Sequence, residues 1–213
     1  MTTDWLWNRP EGTPVATLLL AHGAGAPMDS DFMQALAERL AARGVQVIRF
    51  EFPYMAQRRV DGKRRPPSRA PQLLDYWHEQ IAAARARLGA QPLLIGGKSM
   101  GGRMASLVAD EAEVDGLACL GYPFYAPGKP ERPRTEHLVD LRTPGVIVQG
   151  TRDALGNRER VSGYTLSPTL FLHWLEDGDH DLKPRVKSGY TQIQHFEAAA
   201  DVVADFARRR AQT

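Results

Sequence analysis

The sequence predicts an α/β fold in which a predominantly parallel sheet is covered by helices on both faces. Two patterns carry this reading. Short apolar runs such as Val15-Ala-Thr-Leu-Leu-Leu-Ala21 recur without the alternation of a half-exposed strand, and strands buried on both faces belong to parallel sheets. Between these runs lie segments whose apolar residues repeat at helical spacing.

The elements follow in order. The strand at 15–21 leads to Asp29 or Ser30, either of which suits the N-cap of a helix. The face of that helix is Met33, Leu36, Ala37 and Leu40, and Gly44 stops it. Val45-Gln-Val-Ile-Arg-Phe50 is the next strand. Leu73, Leu74, Trp77, Ile81, Ala84 and Leu88 then recur at helical spacing up to Gly89. Strand 93–96, helix 100–110 and strands 116–121, 146–149 and 170–175 come after it. A last helix carries Ile193, Phe196, Ala200, Val203 and Phe206 on one side, with Arg208, Arg209 and Arg210 near the end where the helix dipole favours cations. Two Pro-rich segments, 53–71 and 122–144, directly follow strand ends. They read as irregular loops at the sheet edge where open α/β folds bind ligands. No repeat, low-complexity tract or linker divides the chain, so residues 1–213 are expected to form one domain.

Composition narrows the function classes. With 213 residues, 43% of them hydrophobic, the chain can build one sizeable core. No apolar stretch has the length of a membrane span. The first ten residues lack the basic flank and apolar core of a signal peptide. The lone Cys119 sits in an apolar run and reads as a core thiol in a reducing compartment, so a cytoplasmic protein is expected. The formal net charge of +2 gives no reason to expect nucleic acid as a partner. Its distribution is uneven, because residues 58–69 hold Arg58, Arg59, Lys63, Arg64, Arg65 and Arg69 against the single acid Asp61. No aromatic residues interleave with these cations as they would in a base-stacking surface.

The chemistry concentrates in Leu93-Leu94-Ile95-Gly96-Gly97-Lys98-Ser99-Met100-Gly101-Gly102-Arg103. An apolar run stops at glycines, presents one serine, and resumes as a helix. Gly97-x-Ser99-x-Gly101 at such a bend is the pattern of a nucleophile elbow, where a strained backbone exposes the hydroxyl. Gly97-Lys98-Ser99 also looks like the end of a phosphate-binding loop. That motif requires a glycine where this chain has Pro92, and the intervening residues read as strand.

A nucleophilic serine needs a base, an orienting acid and oxyanion donors. Asp153 stands just past the 146–149 strand, where a carboxylate can reach across the sheet edge, although a turn or helix-cap aspartate looks the same. His180 lies in the loop after the last strand and before the last helix. Asp177, Asp179 and Asp181 beside it are rival acids, but neighbours so close in sequence rarely meet the imidazole end-on. His173 lies inside a strand, and His22 suits a hydrogen-bonded loop anchor. The oxyanion donors are expected to be the backbone N–H groups of Met100 and Ala24, with Gly23 next, in the loop His22-Gly-Ala-Gly-Ala-Pro27. Tyr54, Tyr122 and Phe124 lie beyond strand ends, where they suit either a substrate pocket or loop packing. Arg64 and Arg65 suit either an anion-holding rim or a solvated, Pro-stiffened loop.

His22-Gly-Ala-Gly, Gly97-Lys-Ser99-Met-Gly-Gly-Arg, Gly150-Thr-Arg-Asp153 and Gly178-Asp-His180 together resemble the serine α/β-hydrolase superfamily. More narrowly, with Phe50-Glu-Phe-Pro-Tyr-Met55 and the Arg/Pro-rich stretch after it, the chain is similar to small single-domain bacterial proteins related to dienelactone hydrolase. Eukaryotic relatives of that group include a testis-expressed protein and a subunit of a histone-acetyltransferase complex. The resemblance spans about Leu18 to Phe206 and implies an α/β-hydrolase fold without a large cap domain, with Ser99 as nucleophile, Asp153 as acid and His180 as base. True dienelactone hydrolases carry a cysteine where Ser99 stands.

The expected function is therefore hydrolysis of an ester or related acyl bond of a small molecule, without metal or organic cofactor. The alternative is a non-catalytic interaction protein on the same fold, which a covalent serine probe would distinguish.

Overall fold

A computed structural model describes residues 4–212. Met1 to Thr3, the start of the stretch inspected for a signal peptide, lie outside the described residues. The chain runs through β1 (Leu6–Asn8), β2 (Ala16–Ala21), α1 (Asp31–Ala41), β3 (Val45–Phe50), α2 (Pro53–Asp61), α3 (Ala70–Leu88), β4 (Leu93–Lys98), α4 (Met100–Val108), β5 (Gly116–Leu120), β6 (Tyr125–Ala126), β7 (Lys129–Pro133), β8 (Gly145–Gly150), α5 (Arg158–Val161), β9 (Leu170–Leu175) and α6 (Gln192–Arg210). Seven strands form one sheet in the order β1-β3-β2-β4-β5-β8-β9. Every pairing is parallel except that of β1 with β3 at one edge.

Strand alternation sorts the core into two layers. Leu19, Ile48, Phe50, Ile95 and Ile147 face the side covered by α3 and α4, where Trp77 is fully buried. Leu18, Leu20, Val45, Val47, Leu94 and Val146 face α1 and α6. The apolar runs are thus two-faced because each strand feeds both layers. Among the described residues, no helix is long and apolar enough to cross a membrane.

Two local readings are corrected, and one strand joins the elements expected. The segment 53–71 begins as a helix: Pro53 is tolerated at the first helical position, and Arg58 and Arg59 sit favourably in the last turn. Gly62, at φ 69°, ends it in the left-handed region. The segment 122–144 folds into the β6–β7 hairpin and one short 3-10 turn. β1 has three residues, too few for a periodicity to register. It is held by Trp5 Nε1 donating to Gln80 Oε1 at 2.6 Å and by Arg87 over the Trp5 ring.

Packing is close where β4 turns into α4. A Cβ on Gly97 would stand 2.5 Å from the Ala21 carbonyl oxygen, and one on Gly101 would stand 2.5 Å from that of His22. No side chain fits either place, so the glycines set how near the helix comes to the sheet. Gly97→Ala is expected to destabilise by about 2–4 kcal/mol and lower Tm by about 5–15 °C. Gly25→Ala, where a Cβ meets nothing within 4 Å, is expected to leave Tm within about 2 °C. Equal melting of the two variants in a calorimetric scan would remove the packing argument.

Candidate active site

Ser99 occupies the junction between β4 and α4 with φ 50° and ψ −117°. A non-glycine residue held there costs about 1–3 kcal/mol and persists only where its surroundings enforce it. Here the Ser99 N–H donates to the Leu120 carbonyl at 2.9 Å, and the Ser99 carbonyl accepts from Arg103 N–H at 3.0 Å. Ser99 Oγ lies 2.9 Å from His180 Nε2. His180 Nδ1 lies 2.8 Å from Asp153 Oδ2 and 3.0 Å from Oδ1. The three side chains come from the ends of β4, β8 and β9, brought together because those strands are parallel and end on the same edge.

Asp153 is fully buried. Besides the imidazole, its Oδ1 accepts from Leu155 N–H at 2.7 Å and its Oδ2 from Gln149 Nε2 at 2.8 Å. Gln149, buried on β8, also donates to the carbonyls of Tyr122 and Gly156 at 3.1 Å and accepts from Tyr122 N–H at 2.7 Å. It binds the loop carrying the carboxylate to the loop after β5, a role that a Gln inside an apolar run did not advertise.

The three rival acids are each engaged elsewhere. Asp177 pairs with Arg185 and with Arg152 Nε at 2.9 Å. Asp179 Oδ1 accepts from the N–H groups of Asp181 and Lys183, both at 2.9 Å, closing a turn. Asp181 pairs with Lys98 Nζ at 3.2 Å.

A cavity of about 290 Å³ opens beside Ser99, walled by Gly23, Ala24, Gly25, Ala26, Phe32 and Met33, with Lys98, His180 and Asp181 at its polar end. A wider hollow of about 780 Å³ lies between Trp7–Glu11 and Glu38–Gly44 and includes none of the three residues above. Burial pulls the Lys98 ammonium below the ordinary lysine range, against the opposing pull of Asp181, Asp153 and Asp179. Among the described residues, no group of three or more His, Cys, Asp or Glu is arranged to hold a metal ion.

The loop at 22–29 is braced from α2, the helix that stands where an irregular loop is expected from the sequence. Tyr54 Oη donates to the Ala24 carbonyl at 3.0 Å, and Arg58 Nη1 to that of Gly25 at 3.2 Å. Arg59 bridges Asp29 and the fully buried Glu51, whose Oε1 also accepts from Met28 N–H at 3.2 Å. His22 is the anchor expected of it. Its Nδ1 donates to the Gly23 carbonyl at 2.7 Å while its Nε2 accepts from Phe52 N–H at 3.1 Å. That pattern requires the neutral ring, and burial lowers its pKa accordingly. Because a planar trans peptide sets C=O and N–H on opposite sides, the Gly23 carbonyl turned to His22 aims the Ala24 N–H away from that ring. Met100 N–H belongs to the first turn of α4, where amides have no intrahelical acceptor.

Other residues proposed as pocket walls lie elsewhere. Tyr122 and Phe124 are fully buried and stack edge to face at 4.9 Å between ring centroids. Tyr122 Oη lies 3.4 Å from both Ser106 Oγ and His137 Nε2. Position after a strand end does not determine which way a side chain turns, and apolar burial draws these rings inward. Tyr54 is nearly buried and holds the loop instead of walling the cavity. Arg64 and Arg65 are exposed beyond the cavity wall, and Arg65 pairs with Asp61 four residues earlier. Cys119 is a buried core thiol, pushed far above the ordinary cysteine range by burial.

Residues 14–208 match the family described as alpha/beta hydrolase domain. Similar solved structures include an α/β serine hydrolase without lid from Xanthomonas campestris, 20% identical over 95% of this chain and 88% of that one, with a TM-score of 0.73. A dienelactone hydrolase from Anabaena variabilis is 18% identical over 94% of this chain and 88% of that one, with a TM-score of 0.70. The esterase domain of a Rhodothermus marinus protein is 18% identical over 95% of this chain and 91% of that one, with a TM-score of 0.68. At these identities the likeness is one of fold.

The engagement of Asp177 has a measurable consequence. The Arg185 guanidinium beside it holds its carboxyl well below the usual carboxylate range. A carboxylate more acidic in the folded than in the unfolded chain stabilises at neutral pH, and that stabilisation is lost as pH falls through the carboxylate range. Asp177→Asn, which tolerates the same left-handed backbone at φ 57°, is expected to lower Tm near pH 7, with the gap closing below about pH 4. A gap that stays constant across the titration would show that the charge of Asp177 is not what holds the loop.

Proposed function

Because the chain belongs to the alpha/beta hydrolase domain family, we propose that it is a serine hydrolase acting on ester or related acyl bonds of a small molecule. The observation that carries this reading is the unbroken hydrogen-bonded line from Ser99 Oγ through His180 to the buried Asp153, at 2.9 and 2.8 Å, beside a cavity open to Ser99.

In the proposed reaction His180 Nε2 takes the Ser99 proton as Oγ attacks the acyl carbon. Asp153 keeps the second proton on Nδ1 and stabilises the imidazolium that forms. The Ala24 and Met100 amides stabilise the tetrahedral oxyanion, supported by the turn of the Ala24 N–H away from His22 and by the place of Met100 at a helix start. The imidazolium then protonates the departing alcohol. In the second half, the same nitrogen deprotonates a water that releases the acid and restores Ser99. The largely apolar wall and modest volume of the cavity favour short acyl groups. The strained backbone at Ser99 favours an enzyme over a scaffold, since an interaction surface gains nothing from holding a serine there.

With nitrophenyl acetate and butyrate as substrates, Ser99→Ala is expected to lower kcat by 10³-fold or more. Asp153→Asn is expected to lower it by as much as about 10⁴-fold, with the rate falling on the acid side for wild type as the base is protonated. A purified, folded Ser99→Ala variant that turns over near the wild-type rate would refute the proposal.

A further inference from the structure

Lys98 lies inside the Gly97–Gly101 motif, yet the proposed reaction gives it no part. It is the last residue of β4, immediately before Ser99. Its side chain is 8% exposed, and its Nζ stands 5.3 Å from the centroid of the Phe32 ring. The bonds that Nζ makes both go to one place. It donates to the His180 carbonyl at 2.6 Å and pairs with Asp181 at 3.2 Å. Burying an ammonium is unfavourable unless it is paired and hydrogen-bonded, and here the pairing is spent wholly on the loop between β9 and α6. Other bonds tie that loop elsewhere. Arg152 N–H donates to the Gly178 carbonyl at 2.9 Å from the β8 side, and Gln192 Nε2 donates to that of Asp181 at 3.1 Å from α6.

We propose that Lys98 is a positioning residue for the base. It ties the backbone of His180 to the strand that carries the nucleophile, and it sets how readily the imidazole is protonated. This rests on the Ser99–His180–Asp153 reading. The tie falls on the carbonyl of His180, so it fixes where the residue stands while Nδ1 keeps its bond to Asp153 and Nε2 its bond to Ser99. Of the charged groups here, Asp153 after β8 bonds the ring itself, while Asp179 and Asp181 on the His180 loop act together with Asp153 on the Lys98 ammonium from β4. Behind them on α6, His195 Nδ1 bonds the Leu182 carbonyl at 2.8 Å. The carboxylates favour the imidazolium and Lys98 opposes it. Removing the ammonium should therefore raise the pH at which activity is lost on the acid side, and removing the Asp181 charge should lower it.

The test compares wild type, Lys98→Met and Asp181→Asn in kcat, KM and the pH profile of kcat/KM for nitrophenyl acetate. Thermal melting checks each fold, and labelling of wild-type Ser99 with a fluorophosphonate probe runs alongside. Lys98→Met is expected to lower kcat about 10- to 100-fold with KM within about twofold, and to move the acid limb up by about 0.5–1 pH unit. Asp181→Asn is expected to move that limb down. If Lys98→Met does not fold, Lys98→Gln takes its place in the same comparison with the same expected limb shift. A folded Lys98 variant with kcat within about threefold of wild type and an unmoved acid limb overturns the proposal, while labelled wild-type Ser99 leaves the hydrolase reading standing. Wild type that neither hydrolyses nor labels overturns both.

Discussion

The site depends on a backbone constraint at one residue. Ser99 is held at φ 50° because β4 must end, turn and start α4 within one residue while the helix lies against β2. Gly97 and Gly101 permit that approach, each with a neighbouring strand carbonyl where a Cβ would be. The turn lifts Oγ out of the sheet and leaves the first amides of α4 beside it. Parallel pairing of β4, β5, β8 and β9 then brings the Asp153 and His180 loops to the same edge. Without the close helix packing, no hydroxyl would be presented to the imidazole.

Around this point the chain distributes its acids so that only one carboxylate meets the imidazole. Asp177, Asp179 and Asp181 lie within three residues of His180, yet each is claimed by arginines, by backbone amides or by Lys98. Asp153 comes from a different strand and reaches the ring end-on because Gln149 and the Leu155 amide orient it. The opposite wall is built the same way. Tyr54, Arg58 and Arg59 on α2 hold the carbonyls and side chains of the 22–29 loop, which turns its amides in a fixed direction.

Much of this was legible from residue order. Two-faced apolar runs located the central strands, and Gly-x-Ser-x-Gly between a strand and a helix marked the elbow. Asp153 and His180 followed because each stands in a loop just past a strand end, downstream of Ser99. What escaped the sequence has physical reasons. The polar, arginine-rich α2 buries only Tyr54 and Met55, so it has little apolar periodicity, and its opening proline reads as a breaker. Tyr122 and Phe124 were placed at the correct edge of the sheet but turn into the core, a direction that spacing does not encode. Gln149 and Lys98 act through long-range bonds to loops 27 and 82 residues away, for which local pattern carries no signal.

The most direct measurement is mass spectrometry of the protein quenched in acid during turnover of nitrophenyl acetate, with the adduct mapped to a peptide. If Ser99 is the nucleophile, an acetyl mass accumulates on the peptide containing Ser99, appears in a burst with nitrophenol, and is absent from the Ser99→Ala protein. Steady turnover with no adduct on that peptide, or with the acetyl group on another side chain, would contradict it.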